Sequence, residues 1–330
     1  MNIKKIGLTA LAGSLVATSA FAGELTLSGG ATLTYSDYSG TETATATAAG
    51  TSSNWGMDQD MTATGSGELD NGWVVSLSHL MGASGAGSTT SSITIDMGDA
   101  GSLTYSDALI GGGLRALDDI TPTAWEEATD GTLGERQAGM PSGVGFSYQL
   151  PEIAGASINI QYSDNLSAGG DIGAGAVAAS GATDDGSSQS IGVTYPIGDT
   201  GLTVYGGMGT EGQADGNDID HDTLGFKYTM GAITVGAQRN DEDDTAASSA
   251  LDLESTILGV SYMVNENLSI SYGNHTTSTP GGVDQEIDSV QAAYSMGGMA
   301  IKFQNTQGDN MANSAGKTSD KSEVSISFAF

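Results

Sequence analysis

Residues 322–330 read SEVSISFAF, and the alternation of Val324, Ile326, Phe328 and Phe330 with small or polar residues places four apolar side chains on one face of an extended strand. A soluble sheet rarely leaves such a face open as far as an aromatic carboxyl end. A strand whose outward face lies in lipid does so, because lipid-facing and lumen-facing residues alternate along a membrane-spanning barrel. These four residues predict the assembly terminus of an all-β protein: a transmembrane antiparallel β-barrel.

The opposite end agrees. Lys4 and Lys5 precede an apolar run from Ile6 to Val16, followed by Ala20-Phe21-Ala22, the arrangement of a secretory signal with a small-x-small cleavage site. Residues 1–22 are therefore expected to be removed between Ala22 and Gly23, leaving 23–330 as one barrel domain. The apolar run is shorter than the ~20 residues that span a bilayer. No later stretch of that length lacks polar residues, so export without a spanning helix is expected.

Composition narrows the partners. All 40 acidic residues follow Ala22, whereas two of the nine basic residues precede it, leaving 9 − 2 = 7 basic residues and a formal charge of 7 − 40 = −33 after cleavage. Nucleic acid and anionic membrane surfaces are poor partners for such a chain. The absence of cysteine removes disulfides, thiolate metal sites and cysteine nucleophiles together. His79, His221 and His275 show no metalloprotease spacing and no nucleophile motif accompanies them, so neither an enzyme nor a cofactor is expected.

From Gly23 onward, about sixteen short runs of alternating hydrophobicity can be traced, among them WVVSLSHLM (73–81), ASINIQYS (156–163), TLGFKYTM (223–230) and MAIKFQN (299–305). Short links near 69–72, 99–101, 151–155, 196–201, 231, 265–267 and 297–298 alternate with long polar ones near 38–54, 83–90, 107–142, 165–188, 209–222, 240–254, 275–288 and 306–321. Short turns on one side and long loops on the other, with an even strand number, are the pattern of outer-membrane barrels. Tyr148, Tyr195, Tyr228, Tyr262 and Tyr294 each stand just before a short turn, as an interfacial aromatic girdle requires.

The exported N-terminus, the alternating loops, the long connection at 107–142 and terminal Phe330 resemble the general diffusion porins of Gram-negative outer membranes, particularly the acidic alphaproteobacterial kind. The resemblance covers residues 23–330. It implies sixteen strands, a third loop folded into the lumen, a homotrimer in the outer membrane, insertion by the barrel-assembly machinery, and passive diffusion of small hydrophilic solutes and ions.

By that resemblance, 107–142 is the pore constriction loop, with Asp118, Asp119, Glu126, Glu127, Asp130 and Glu135 as its acids and Arg115 and Arg136 as its only cations. Gly111 to Gly113 would let it bend inward and Trp125 would pin it to the wall. Strand parity places Asp58, Asp60, Glu68, Asp96, Lys227 and Lys302 on the lumen wall, Tyr205 also inside, and Arg239 at the rim. Seven scattered basic residues do not make the arginine cluster with which the family usually opposes the loop. Carboxylate lining predicts cation preference, moderated by salt. Asp215, Asp218, Asp220 and Asp222, and Asp241 to Asp244, are loop clusters with weak Ca²⁺-ligand character that lack the glutamate completing an EF-hand, and divalent ions there would bridge to lipopolysaccharide phosphates. The alternatives are a substrate-specific porin and a plugged or adhesive barrel.

Overall fold

A computed structural model describes residues 25–41, 52–82, 89–107, 111–130, 136–141, 144–164, 187–212, 218–244 and 252–330. The cleavage site at Ala22 and Gly23, together with Glu135 and Asp215, lies outside the described residues. Sixteen antiparallel strands close into one barrel in simple sequence order. They are β1 (Leu25–Gly40), β2 (Ser52–Glu68), β3 (Val74–Gly82), β4 (Thr89–Asp96), β5 (Ser102–Ser106), β6 (Gly145–Gln149), β7 (Ser157–Asp164) and β8 (Ser187–Pro196). The second half comprises β9 (Leu202–Gly212), β10 (Asp218–Met230), β11 (Ile233–Asp244), β12 (Leu253–Asn265), β13 (Leu268–Ser278), β14 (Gln285–Met296), β15 (Met299–Asp309) and β16 (Thr318–Ala329). Among the described residues no helix is long and apolar enough to cross a membrane. Closure leaves no unpaired edge, so the ladder satisfies the backbone within lipid.

The seam joins β16 to β1. Leu33 lies opposite Ile326, Tyr35 opposite Val324 and Ala31 opposite Phe328, so the alternating apolar set of the last strand shares the outward face with that of the first. The Gly29 amide donates to the Phe330 carbonyl at 2.8 Å and the Phe330 amide donates to the Gly29 carbonyl at 3.0 Å. Closure therefore falls at Gly29–Gly30. Phe330 itself is 80% exposed, as a lipid-facing ring should be in an isolated subunit.

Every expected strand is present, but several run further than expected, and most of the long connections shrink accordingly. The 275–288 connection is only 279–284 between β13 and β14, and 306–321 shortens to 310–317 before β16. The reason lies in the solvent. Above the lipid, the outward residues become Asp, Asn and Gln, as at Asp288, Asn305 and Gln307, so hydrophobic alternation ends while the hydrogen-bonded ladder continues. The five girdle tyrosines all point outward beside the short turns; Tyr228 faces Leu202, Tyr262 faces Ile233, and Tyr294 lies between Leu268 and Ile301.

Candidate channel constriction

The connection from β5 to β6 turns into the barrel at Gly112–Gly113. Gly113 adopts φ +57°, which favours glycine, and its amide donates to Asn159 Oδ1 of β7 at 2.6 Å. A Cβ on Gly112 would overlap the Ser147 side chain of β6, and one on Gly113 would overlap Ser190 of β8. The glycine bend expected from sequence is thus required by close approach to the wall. A 3-10 segment, Gly113–Ile120, follows and drives Leu114 and Leu117 against Tyr205 of β9, forming the small apolar core inside the barrel. Tyr205 points inward as expected, yet the loop covers it, so it does not line the passage.

Beneath the loop runs a track of inward-facing wall glycines. A Cβ at Gly207 would come within 2.8 Å of Leu114, one at Gly236 within 2.6 Å of the Pro122 ring, and one at Gly259 within 2.6 Å of the Pro122 carbonyl. Gly192 would clash with the Gly113 carbonyl, and Gly273 just admits Ala128. These residues occupy inward positions on β8, β9, β11, β12 and β13, and their missing side chains provide the depth in which the loop backbone lies. Inward parity combined with glycine on neighbouring strands is the sequence signal that marks this track.

Polar wall side chains then satisfy the loop backbone, as a buried irregular segment demands. Ser271 accepts from the Ala124 amide at 2.8 Å, and Gln291 Oε1 accepts from the Trp125 and Glu126 amides at 2.9 and 3.1 Å. The Gln291 side-chain amide donates back to the Glu126 carbonyl at 2.6 Å. Gln285 brackets Arg136 in the same way, and Ser255 takes the Ala138 amide. On the return limb, Gly139 donates to Glu242 at 2.6 Å while its carbonyl accepts from Nδ1 of His221. The loop is anchored to an arc from β7 to β16. The inward, buried glutamines on those strands were a second signal that sequence reading passed over.

The loop acids gather around a recess of about 480 Å³ lined by Asp119, Trp125, Glu126, Glu127, Asp130 and neighbouring threonines. Burial pushes the Glu126 carboxyl up to about 8, aided by a side-chain hydrogen bond with Asp130 and by the Asp130 charge. Asp118 is also raised, by burial first, while Arg115, 3.4 Å away, works in the opposite direction. Lys321 is buried beneath this group, 3.1 Å from Glu323 and 3.4 Å from the Asp130 carbonyl, and Glu323 accepts from Ser36 across the seam. Inward parity on β16 would have marked Lys321, but it lay within a segment expected to be loop. Trp125 does brace the loop: Lys302 Nζ sits 5.6 Å from its ring centroid.

The other expected lumen residues divide by height. Register places Asp58 opposite Thr32 and Asp60 opposite Gly30, on the inward face of β2 where β3 has ended or is ending. Glu68 and Asp96 face inward through their common neighbour Val74 at the short-turn end, where Asp96 Oδ1 accepts from the Gly98 amide and holds the turn. Lys227 lies inward between Thr203 and Gly236. Arg239 is at the outer end of β11 but points away from the lumen, to Asp241 and Glu254, each at 2.9 Å. Asp218, Asp220 and Asp222 belong to β10 and Asp241 to Asp244 to β11, correcting the loop reading. Alternation puts the first three on the outer face and separates each from the next by one residue. Among the described residues no three His, Asp or Glu side chains are grouped to hold a metal ion.

The Gram-negative porin family profile matches residues 7–326. The chain belongs to the Gram-negative porin family. No curated protein matches its sequence. In structure it is similar to an anion-selective porin from Comamonas acidovorans, with TM-score 0.68 and 14% identity over 93% of this chain and 99% of that one. A mutant of Rh. blastica porin gives TM-score 0.63 with 14% identity over 93% and 100% of the two chains. Salmonella typhi OmpF in complex with daunomycin gives 0.65 with 13% identity over 93% and 98%. These identities speak to fold alone. Family and architecture make this porin a passive channel of the bacterial outer membrane.

Proposed function

We propose that this porin is a cation-preferring general diffusion channel for small hydrophilic solutes and ions, acting as a homotrimer and requiring no cofactor. The acidic recess carries the reading: Asp119, Glu127 and Asp130 flank the passage, with Glu126 adding its charge at high pH. Carboxylates beside a water-filled constriction concentrate cations and exclude anions over roughly the ~8 Å screening length of physiological salt. The fold is shared with an anion-selective porin, so selectivity must come from these side chains rather than the barrel.

The trimer is supported by one arc of the wall. Strands β5 and β6 have five residues each, short of the ~9–11 that cross a bilayer, and β3 and β4 nearby have nine and eight. On the same arc His79 and Ser91 point outward and bond to each other at 2.8 Å, a polar pair poorly suited to lipid. Neighbouring subunits would cover both features. The outward acids Asp220, Asp222, Asp241 and Asp243 at the loop end suit divalent bridging to lipopolysaccharide phosphates, and the terminal strand suits presentation to the insertion machinery.

Reversal potential in a planar bilayer under a KCl gradient tests the proposal. Potassium preference with conductance steps in groups of three is expected; chloride preference would overturn the selectivity, and single independent steps the trimer.

A further inference from the structure

The seven basic residues beyond Lys5 have a one-sided distribution. Arg115 and Arg136 are in the constriction loop, Arg239 is on the outer face, Lys317 precedes β16, and Lys227, Lys302 and Lys321 are inward on β10, β15 and β16. None lies on β1–β9. The loop is hydrogen-bonded to the arc from β7 to β16, so β1–β6 face it across the opening. The three inward lysines are consequently on the loop's own side, and Lys302 and Lys321 are already engaged with Trp125 and Glu323.

What faces the loop instead is hydroxyl flanked by carboxylates, with Asp58 and Asp60 toward the loop end of β2 and Glu68 and Asp96 at the short-turn end. Cross-strand register aligns Ser66, Ser76, Thr94, Thr104 and Ser147 as one inward row across β2 to β6. A second row joins Thr26, Thr64, Ser78, Ser92 and Ser106. The Thr94 and Thr104 hydroxyls bond each other at 2.9 Å, and the first row ends at Ser147, against which Gly112 packs, so it reaches the level of the constriction. Apart from the exposed Thr26 these side chains are half-buried, whereas inward residues under the loop, such as Gln291 and Gln304, are buried.

We infer that the Ser/Thr wall of β1–β6 is a solute-contact surface for uncharged polyhydroxylated solutes, and that the constriction passes these and cations in preference to zwitterions of equal size. The inference rests on the channel reading above. A hydroxyl donates one hydrogen bond and accepts two, so a polyol sliding along either row exchanges water contacts for equivalent ones. A cation is drawn to the loop carboxylates. A zwitterion has one end attracted by the loop, but its carboxylate meets a wall with no cation and a net negative constriction. Among the described residues no basic side chain of β1–β6 stands opposite the loop carboxylates, and Arg115 is held by Asp118 within the loop, so neither end of the dipole finds a matched pair across the opening.

Osmotic swelling of liposomes containing the folded full-length barrel tests this, using a pentitol and a zwitterionic amino acid of matched size, with sodium and chloride permeability measured alongside. The pentitol should enter at least threefold faster. In Thr94→Arg/Thr104→Arg the ratio should fall toward one and chloride permeability should rise, while Thr94→Gln/Thr104→Gln, similar in bulk, should keep the ratio. Equal wild-type rates, or an unchanged ratio in the arginine variant with the same heat-shifted mobility as wild type, overturn the inference while leaving the channel intact. Entry of neither solute overturns the channel reading itself.

Discussion

Lys302 Nζ stands 5.6 Å from the centroid of Trp125, so a lumen-facing cation of β15 holds an aromatic ring of the constriction loop from the side. Such a contact contributes about 0.5–1 kcal/mol where water has access. Trp125→Ala and Lys302→Met should each loosen the loop by that order, visible as added open-channel current noise. A double-mutant cycle on loop protection from proteolysis should show coupling; strict additivity would mean that the ring and the ammonium do not interact.

Selectivity should depend on pH through Glu126. Its carboxyl is held near 8, against 4.5 for a free glutamate, because burial and the Asp130 hydrogen bond favour the protonated form. The docked loop thus binds this proton more tightly than an undocked one, and its seating weakens as pH rises from 4.5 toward 8. Above 8 the constriction gains a negative charge. The cation-to-anion permeability ratio should climb between pH 7 and 9, and Glu126→Gln should flatten that climb; an identical profile in the variant would assign it to another group.

The glycine track predicts an effect of a single methyl group. Gly259→Ala would press a Cβ within 2.6 Å of the Pro122 carbonyl and 2.7 Å of Thr121 Cγ2. Overpacking of this kind costs about 1–3 kcal/mol. Because the displaced atoms belong to the loop, the barrel should still form with normal heat-shifted mobility while conductance changes. The expected direction is upward, as the loop leaves its seat; unchanged conductance would show that the track gives way elsewhere.

Removing Phe330 deletes two backbone hydrogen bonds with Gly29, each contributing about 0.5–1.5 kcal/mol net, together with an outward aromatic ring. Membrane-inserted protein should fall severalfold in cells, and the barrel extracted in detergent should unfold at lower temperature. Normal insertion would deny the terminal residue its assembly role.

Strand count, loop sidedness and the girdle were legible because period-two alternation is imposed by lipid wherever lipid is the neighbour. The same alternation puts Lys227 beside Thr203 and Gly236 and Lys302 beside Ala293, on the inward face. Hydrophobic alternation lapsed above the membrane, where Asp218 to Asp222 and Lys321 sit on strands whose outward faces are polar. It lapsed again inside, where the wall side chains answer to the loop: Gly259, Gln291 and Gln304 are chosen by a segment distant in sequence, and no local pattern announces them.

The seam has a consequence in time. Ser36 and Glu323 bond across it although 287 residues separate them, so the first strand waits for the sixteenth before either edge is satisfied. Until then the nascent sheet has two open edges and an apolar face, a combination prone to aggregation, and such remote pairing is slow to find. A truncated chain has no partly built form that lipid will accept. Completeness is therefore a condition of entry into the membrane, and chaperoning of the unclosed chain is as much a requirement of this architecture as the pore is its product.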